Sequence, residues 1–151
     1  MPVRQLKEYL DRNSVKYVTI AHSVAYTAQE IAASAHVRGK ELAKTVMVKL
    51  DGKMAMAVVP ASRRVNFEIL KKEVGAGAAE LAEEGEFRDR FPECELGAMP
   101  PFGNLYGMEV LVSRDLAQDD EIAFNAGTLT ELIRMSWKDF QRLVQPRVIR
   151  L

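Results

Sequence analysis

Thr45-Val46-Met47-Val48-Lys49-Leu50-Asp51-Gly52-Lys53-Met54-Ala55-Met56-Ala57-Val58-Val59 is the stretch that decides the fold. Two apolar runs of strand length flank Asp51-Gly52, a pair suited to the positive φ angles of a two-residue type I′ turn. The stretch reads as a β-hairpin, and Pro60 closes it because proline cannot donate to a continuing ladder.

Upstream of the hairpin, Val3, Leu6, Tyr9 and Leu10 stand at helical spacing with charges between them, which predicts a short amphipathic helix ending near Asn13. Residues 16–20 are a β-branched and aromatic run and predict a strand. Thr27-Ala28-Gln29-Glu30 has the form of a capping box, so a helix is expected from there to about Ala35. Downstream, Asn66 can cap a helix carrying Phe67, Leu70 and Val74 on one face. The Ala-rich residues 78–84 read as a second short helix, and residues 87–91 as a further helical stretch.

A Pro- and Gly-rich loop follows, reaching Gly107. Strands are expected at residues 109–113, 121–125 and 131–135, and a last helix from Trp137, capped by Ser136. Strands and helices that do not strictly alternate point to an α+β fold with a mixed, largely antiparallel β-sheet or a partly closed barrel. The length of 151 residues and the lack of a long linker predict a single domain over residues 1–151.

Composition narrows the function classes. The 21 basic residues cancel the 21 acidic ones, so no broad positive field exists to hold long nucleic acid nonspecifically, and DNA is not an expected partner. The single Cys94 excludes an intramolecular disulfide, and the charged N-terminus and absence of a long apolar run suggest a cytoplasmic protein without a membrane anchor. There is no phosphate-binding glycine loop, no dinucleotide fingerprint and no Cys-x-x-Cys or His-Glu-x-x-His, so no metal and no cofactor are expected. A triad of Cys94, His22 and an acid can be written, but a structural thiol explains Cys94 better. The acidic runs Asp119-Asp120-Glu121 and Glu83-Glu84 read as solvated surface.

Three separated stretches carry a further signal. Lys44-Thr45-Val46-Met47-Val48 places a lysine at the start of an apolar strand and is followed by Val58-Val59-Pro60. Residues 94–103 place Gly97 and Pro101 as the fixed points of a Gly-x-x-x-Pro loop. Phe124-Asn125-Ala126-Gly127-Thr128 is a strand running into a glycine turn. Together these stretches resemble the YbaK family of domains associated with prolyl-tRNA synthetase.

The resemblance implies a YbaK-like fold and a free-standing aminoacyl-tRNA deacylase that hydrolyses the ester of a mischarged tRNA in trans. Its partners would be the aminoacyl-tRNA 3′ end and an aminoacyl-tRNA synthetase. Lys44 would hold a phosphate, ribose or carbonyl oxygen. The amides of Gly97, Ala98 and Met99 would face the ester carbonyl, where prolines have no amide to offer. His22, Thr45, Pro100, Pro101, Phe102, Asn125, Gly127 and Thr128 would line the substrate pocket. His22 is open to two readings, a general base or a strand-end histidine satisfied by a carbonyl. Catalysis would need no protein nucleophile, with water or a substrate group attacking the ester.

Departures from the family pattern bear on the substrate. Ile20 stands where some members have Tyr, Leu129 where others have a polar residue, and Ala98 where some have a second Gly. A more apolar and slightly smaller pocket suggests a small amino acid such as Ala, Ser or Cys. The competing reading is a non-catalytic module that binds a charged tRNA end, an amino acid or a nucleotide.

Overall fold

In the computed structural model the described residues are 2–21, 42–91, 94, 95 and 97–151. Helix α1 (Pro2–Arg12) leads into β1 (Tyr17–Ala21), as the spacing and the β-branched run predict. The expected helix at residues 27–35, together with His22 and His36, lies outside the described residues.

The hairpin is β2 (Leu42–Leu50) and β3 (Lys53–Pro60), with Asp51 at φ 51° and Gly52 at φ 81°. Both turn residues have positive φ, the geometry that lets two antiparallel strands keep their right-handed twist. Helix α2 (Phe67–Val74) follows, and the Asn66 side chain accepts from the amides of Glu68 at 3.1 Å and Ile69 at 3.2 Å. Leu70 is fully buried there, with Phe67 and Val74 packed beside it.

Residues 78–84 correct an expectation. Instead of a helix, Ala79–Leu81 forms β4, which pairs antiparallel with residues 48–50 of β2. The Asp51 carboxylate accepts from the amides of Gly77 at 3.2 Å and Ala78 at 2.8 Å, while the Asp51 amide donates to Ala78 O at 3.0 Å. These bonds hold the chain extended against β2, and tertiary pairing outweighs the alanines' intrinsic helix preference. Only then does helix return, as α3 (Glu84–Phe87) and a 3-10 turn at Arg88–Arg90.

The remaining elements are β5 (Glu109–Ser113), β6 (Glu121–Asn125), β7 (Glu131–Ser136), α4 (Trp137–Val144) and a short β8 (Arg147–Ile149) that sequence reasoning missed. Ser136 caps α4 by accepting from the Asp139 amide at 3.1 Å. The sheet runs β1-β7-β6-β2-β3-β5-β8, with β4 on β2. Pairings of β2 with β6, β3 with β5 and β5 with β8 are parallel and the other four antiparallel, so the α+β, mixed sheet is as expected.

The sheet buries both faces. One carries the large core, where Phe102 meets Phe140 at 5.4 Å and Phe124 at 5.5 Å in edge-to-face contacts. The other has two smaller clusters, one under α2 and one made of Leu42, Ala123 and Leu132 with Ile20 and Ala61 beside them. No helix among the described residues is long and apolar enough to cross a membrane.

Candidate functional site

One edge of β2 is paired with β3 along its length, whereas the other is paired in two separate pieces. Residues 42 and 43 meet β6, and residues 48–50 meet β4, with the Ala82 amide donating to Met47 O at 2.9 Å. Between them, Lys44, Thr45 and Val46 have no strand on that edge among the described residues. The Ala61 amide donates to Leu42 O at 2.8 Å, which fixes the alternation. Even-numbered residues of β2 therefore turn their backbone groups to β3, and odd-numbered ones to the other edge. The N–H and C=O of Thr45 thus face a gap in the sheet.

Side chains alternate as well. Ala43 and Met47 belong to the large core, so Thr45 points to that face, while Lys44 shares the opposite face with Leu42. The parallel pairing of β2 with β6, Leu42 beside Ala123 and Ala43 beside Phe124, ends one residue before Lys44 and Asn125, and the alternation turns both of their side chains to the face of Leu42 and Ala123. Burial lowers the pKa of the half-buried Lys44, and the nearby Arg64 charge lowers it further. No carboxylate among the described residues neutralises Lys44.

Beyond Asn125 the chain turns, and the loop expected at the site docks on that turn. The Gly127 amide donates to Ala98 O at 2.8 Å and the Glu95 amide to Gly127 O at 2.9 Å. The Glu95 carboxylate accepts from the Leu129 amide. Gly97 sits at φ +82° with nothing within 4 Å of where a Cβ would stand, so the backbone conformation, and not space, calls for glycine.

The expected site residues divide into those that can meet a ligand and those that cannot. The Ala98 amide is engaged with Glu95 O at 3.0 Å, so it is not available as a carbonyl donor. The amides of Gly97 and Met99 find no acceptor among the described residues. Phe102 is 0% exposed and belongs to the core. Pro100 and Pro101, within the loop, are buried. Cys94 is half-buried beside Tyr106, whose pKa is pushed up to about 12, first by burial and then by the thiol. That setting suits a structural thiol.

Among the described residues, three buried side-chain oxygens have no hydrogen-bond partner: Thr45 Oγ1, Asn125 Oδ1 and Thr128 Oγ1. Each belongs to a residue that sequence reasoning placed at the site. Arg134 Nε is also buried without a hydrogen bond, but it lies 3.6 Å from Glu121 Oε2 in an ion pair. No group of His, Cys, Asp and Glu that could hold a metal occurs among the described residues. A cleft of about 560 Å³ beside α2, bordered by Glu73 and Arg150, contains none of the expected site residues.

Residues 22–143 match the family model described as the aminoacyl-tRNA editing domain. The chain belongs to that family. It is similar to the multifunctional Ser/Thr-tRNA deacylase ProXp-y of Escherichia coli strain K12, at 25% identity over 97% of this chain and 90% of the relative. It also resembles a proline--tRNA ligase of Bacillus cytotoxicus, at 29% identity over 59% of this chain and 16% of the ligase. A solved structure described as a candidate trans-editing enzyme for prolyl tRNA synthetase shares the fold, with a TM-score of 0.82 at 20% identity, covering 99% of this chain and 97% of that one.

Two features of this editing domain escaped sequence reasoning. The open backbone edge at Thr45 depends on where β4 and β6 stop, which no local pattern records. Arg64 lies just after Val58-Val59-Pro60, and its charge beside Lys44 becomes visible only once β3 is laid along β2.

Proposed function

We propose that this editing domain hydrolyses, in trans, the ester between a small amino acid and the 3′ end of a mischarged tRNA. The observation that supports this reading is that the side-chain oxygens of Asn125, at the end of β6 on the face of Lys44, and of Thr128, beside Gly127, are buried with no partner among the described residues. A buried polar atom left unpaired costs about 1–3 kcal/mol, a cost that a polar ligand removes by bonding to it. An aminoacyl ester brings an ammonium, hydroxyls and a carbonyl to such a place.

In the proposed mechanism Lys44 holds a phosphate or ribose oxygen as a point charge. The amides of Gly97 and Met99 and the edge amide of Thr45 are the candidates to stabilise the oxyanion, replacing the engaged Ala98 amide. One such donor contributes about 3 kcal/mol to lowering the barrier. Water, oriented by the site or by a substrate hydroxyl, attacks the carbonyl carbon and gives up a proton, the bond to the ribose oxygen breaks, and that oxygen takes up a proton, which frees the amino acid. His22, which lies outside the described residues, remains a candidate base in this scheme.

The likeness to a Ser/Thr-tRNA deacylase supports small hydroxylated amino acids within this class. Oxygens on Asn125 and Thr128 suit them, because a site built to bond a hydroxyl rejects analogues lacking one far better than an apolar pocket rejects a methylene. An aminoacyl-tRNA synthetase is the candidate source of the mischarged tRNA. Incubation with tRNAs carrying Ser, Thr, Ala or Cys tests the reading, which expects release of at least one at catalytic enzyme. Tight binding of an aminoacyl-adenosine analogue with no turnover of any ester would replace it with the binding-module reading.

A further inference from the structure

We propose that Arg64 and Lys44 form a two-cation clamp for the phosphodiester that joins the terminal, amino-acid-bearing nucleotide to the rest of the RNA. The inference rests on the editing reading for the identity of the ligand, and on the following geometry for the site.

The turn after β3 is fixed beside the start of β2. Pro60 pairs with Ala43, the Ala61 amide donates to Leu42 O at 2.8 Å, and the Arg63 amide donates to Pro60 O at 2.9 Å. Ala61 packs against the cluster of Leu42, Ala123 and Leu132, which is the face that Lys44 shares. Val65 packs on the cluster that includes Val48, the same face again, so Arg64 lies between two residues seated on the face of Lys44, and its charge acts on that ammonium. Arg63 is committed elsewhere, paired with the Asp115 carboxylate and donating to Leu151 O at 3.4 Å. Arg64 is exposed and has no carboxylate partner among the described residues.

Two neighbouring cations with no acid between them among the described residues repel each other, and the Arg64 charge already weighs on the Lys44 ammonium. An anion placed between them turns that repulsion into two attractions. The chain has as many acidic as basic residues, so this pair of cations is a local feature and not the edge of a general positive field. The division of labour fits phosphate: the Arg64 guanidinium can take two oxygens with its fork, and Lys44 can contact one as a point charge. A phosphodiester lies one ribose away from the ester in any aminoacyl-tRNA. Holding it would fix the ester beside Asn125 and the Gly127 turn without occupying the amino-acid pocket.

Binding, read by fluorescence anisotropy competition, tests the clamp independently of hydrolysis. The probes are two non-hydrolysable 3′-seryl-amide adenosines, one with a 5′-phosphate methyl ester and one with a free 5′-hydroxyl, against the folded wild-type chain, R64A and R64K. The expected result is that the wild type binds the phosphorylated probe about tenfold more tightly than the other. R64A should abolish most of that preference while leaving the phosphate-free probe's affinity unchanged, and R64K should keep part of it. With a short RNA ending in the same group, R64A should also flatten the plot of log affinity against log salt by about 0.7. Equal weakening of both probes by R64A, an undiminished preference in R64A, or a wild type indifferent to the phosphate would each overturn the clamp. Wild-type protein that shows the preference but releases no amino acid would refute the hydrolytic reading alone.

Discussion

The amide of Gly127 donates to the carbonyl of Ala98 at 2.8 Å, and this bond joins the loop before β5 to the turn that ends β6. The loop is held a second time through Glu95, whose amide donates to Gly127 O at 2.9 Å and whose carboxylate accepts from the Leu129 amide. The positions of the Gly97 and Met99 amides therefore depend on an exposed carboxylate that touches no proposed substrate atom.

Replacing Glu95 by Ala removes the tie to Leu129 without opening the core. Deacylation should fall between about tenfold and a hundredfold through lost orientation. Stability should change by under about 1 kcal/mol. Single-turnover rates, with hydrogen exchange at the Leu129 amide as the structural readout, check both. An unchanged rate with accelerated exchange would show that loop position does not matter to the chemistry.

Two glycines of the same loop should respond differently to alanine. At Gly97 nothing lies within 4 Å of the added carbon, and the cost is the φ of +82°, about 1 kcal/mol. At Gly103 the added carbon would stand 2.6 Å from Met108 O and from Val110 Cγ2, an overpacking cost of about 3 kcal/mol. Urea denaturation should rank them in that order. Gly97→Ala should nevertheless lose more activity per folded molecule, because relaxing that φ rotates the amides proposed to face the ester.

Lys44 should trade stability for function. Burial, and then Arg64, lower its pKa, so the folded chain disfavours the charged form. The penalty is fully present below the folded pKa and is relieved as pH rises through it toward the ordinary value of 10.5. Lys44→Met should therefore unfold no more easily than the wild type at neutral pH, and the difference should move in the wild type's favour on the alkaline side, as thermal melts across pH can show. Activity should vanish in the variant. In the wild type it should decline at a pH below that of an ordinary lysine, and Arg64→Ala should shift that decline upward.

Thr45→Val and Thr128→Val replace hydroxyls whose oxygens are buried without partners by groups of similar shape. Each should hold or raise stability, by up to about 1 kcal/mol, because no bond is lost in the free protein. Thr128→Val should also reduce discrimination in favour of seryl over alanyl esters, measured as the ratio of kcat/KM values. A loss of stability with unchanged discrimination would place that hydroxyl in the structure and not in recognition.

Local chemistry made much of the fold readable. Asp51-Gly52 specified its hairpin, Asn66 and Ser136 their helix starts, and the β-branched runs their strands, because each depends on residues within a few positions. The stretch at residues 78–84 misled because its alanines favour helix in isolation, while the decisive partners, Asp51 and residues 48–50, are distant in sequence. Three residues of β8 after Pro146 carry too short a pattern to be recognised.

The site shows the same division. Lys44, Asn125 and Gly127 could be named from motifs, and the first two each follow directly on the parallel pairing of β2 with β6. The burial of Phe102, the engaged Ala98 amide and the open edge of Thr45 arise from how distant segments dock. Side-chain type gives no warning of any of them.

The most direct test of the hydrolytic reading is the release of amino acid from mischarged tRNA, followed in time at catalytic protein for wild type and Lys44→Met side by side. The account predicts release of a small amino acid by the wild type and none above the spontaneous rate by the folded variant. No release by the wild type from any of the Ser-, Thr-, Ala- or Cys-charged tRNAs, or equal rates for the two proteins, would contradict it.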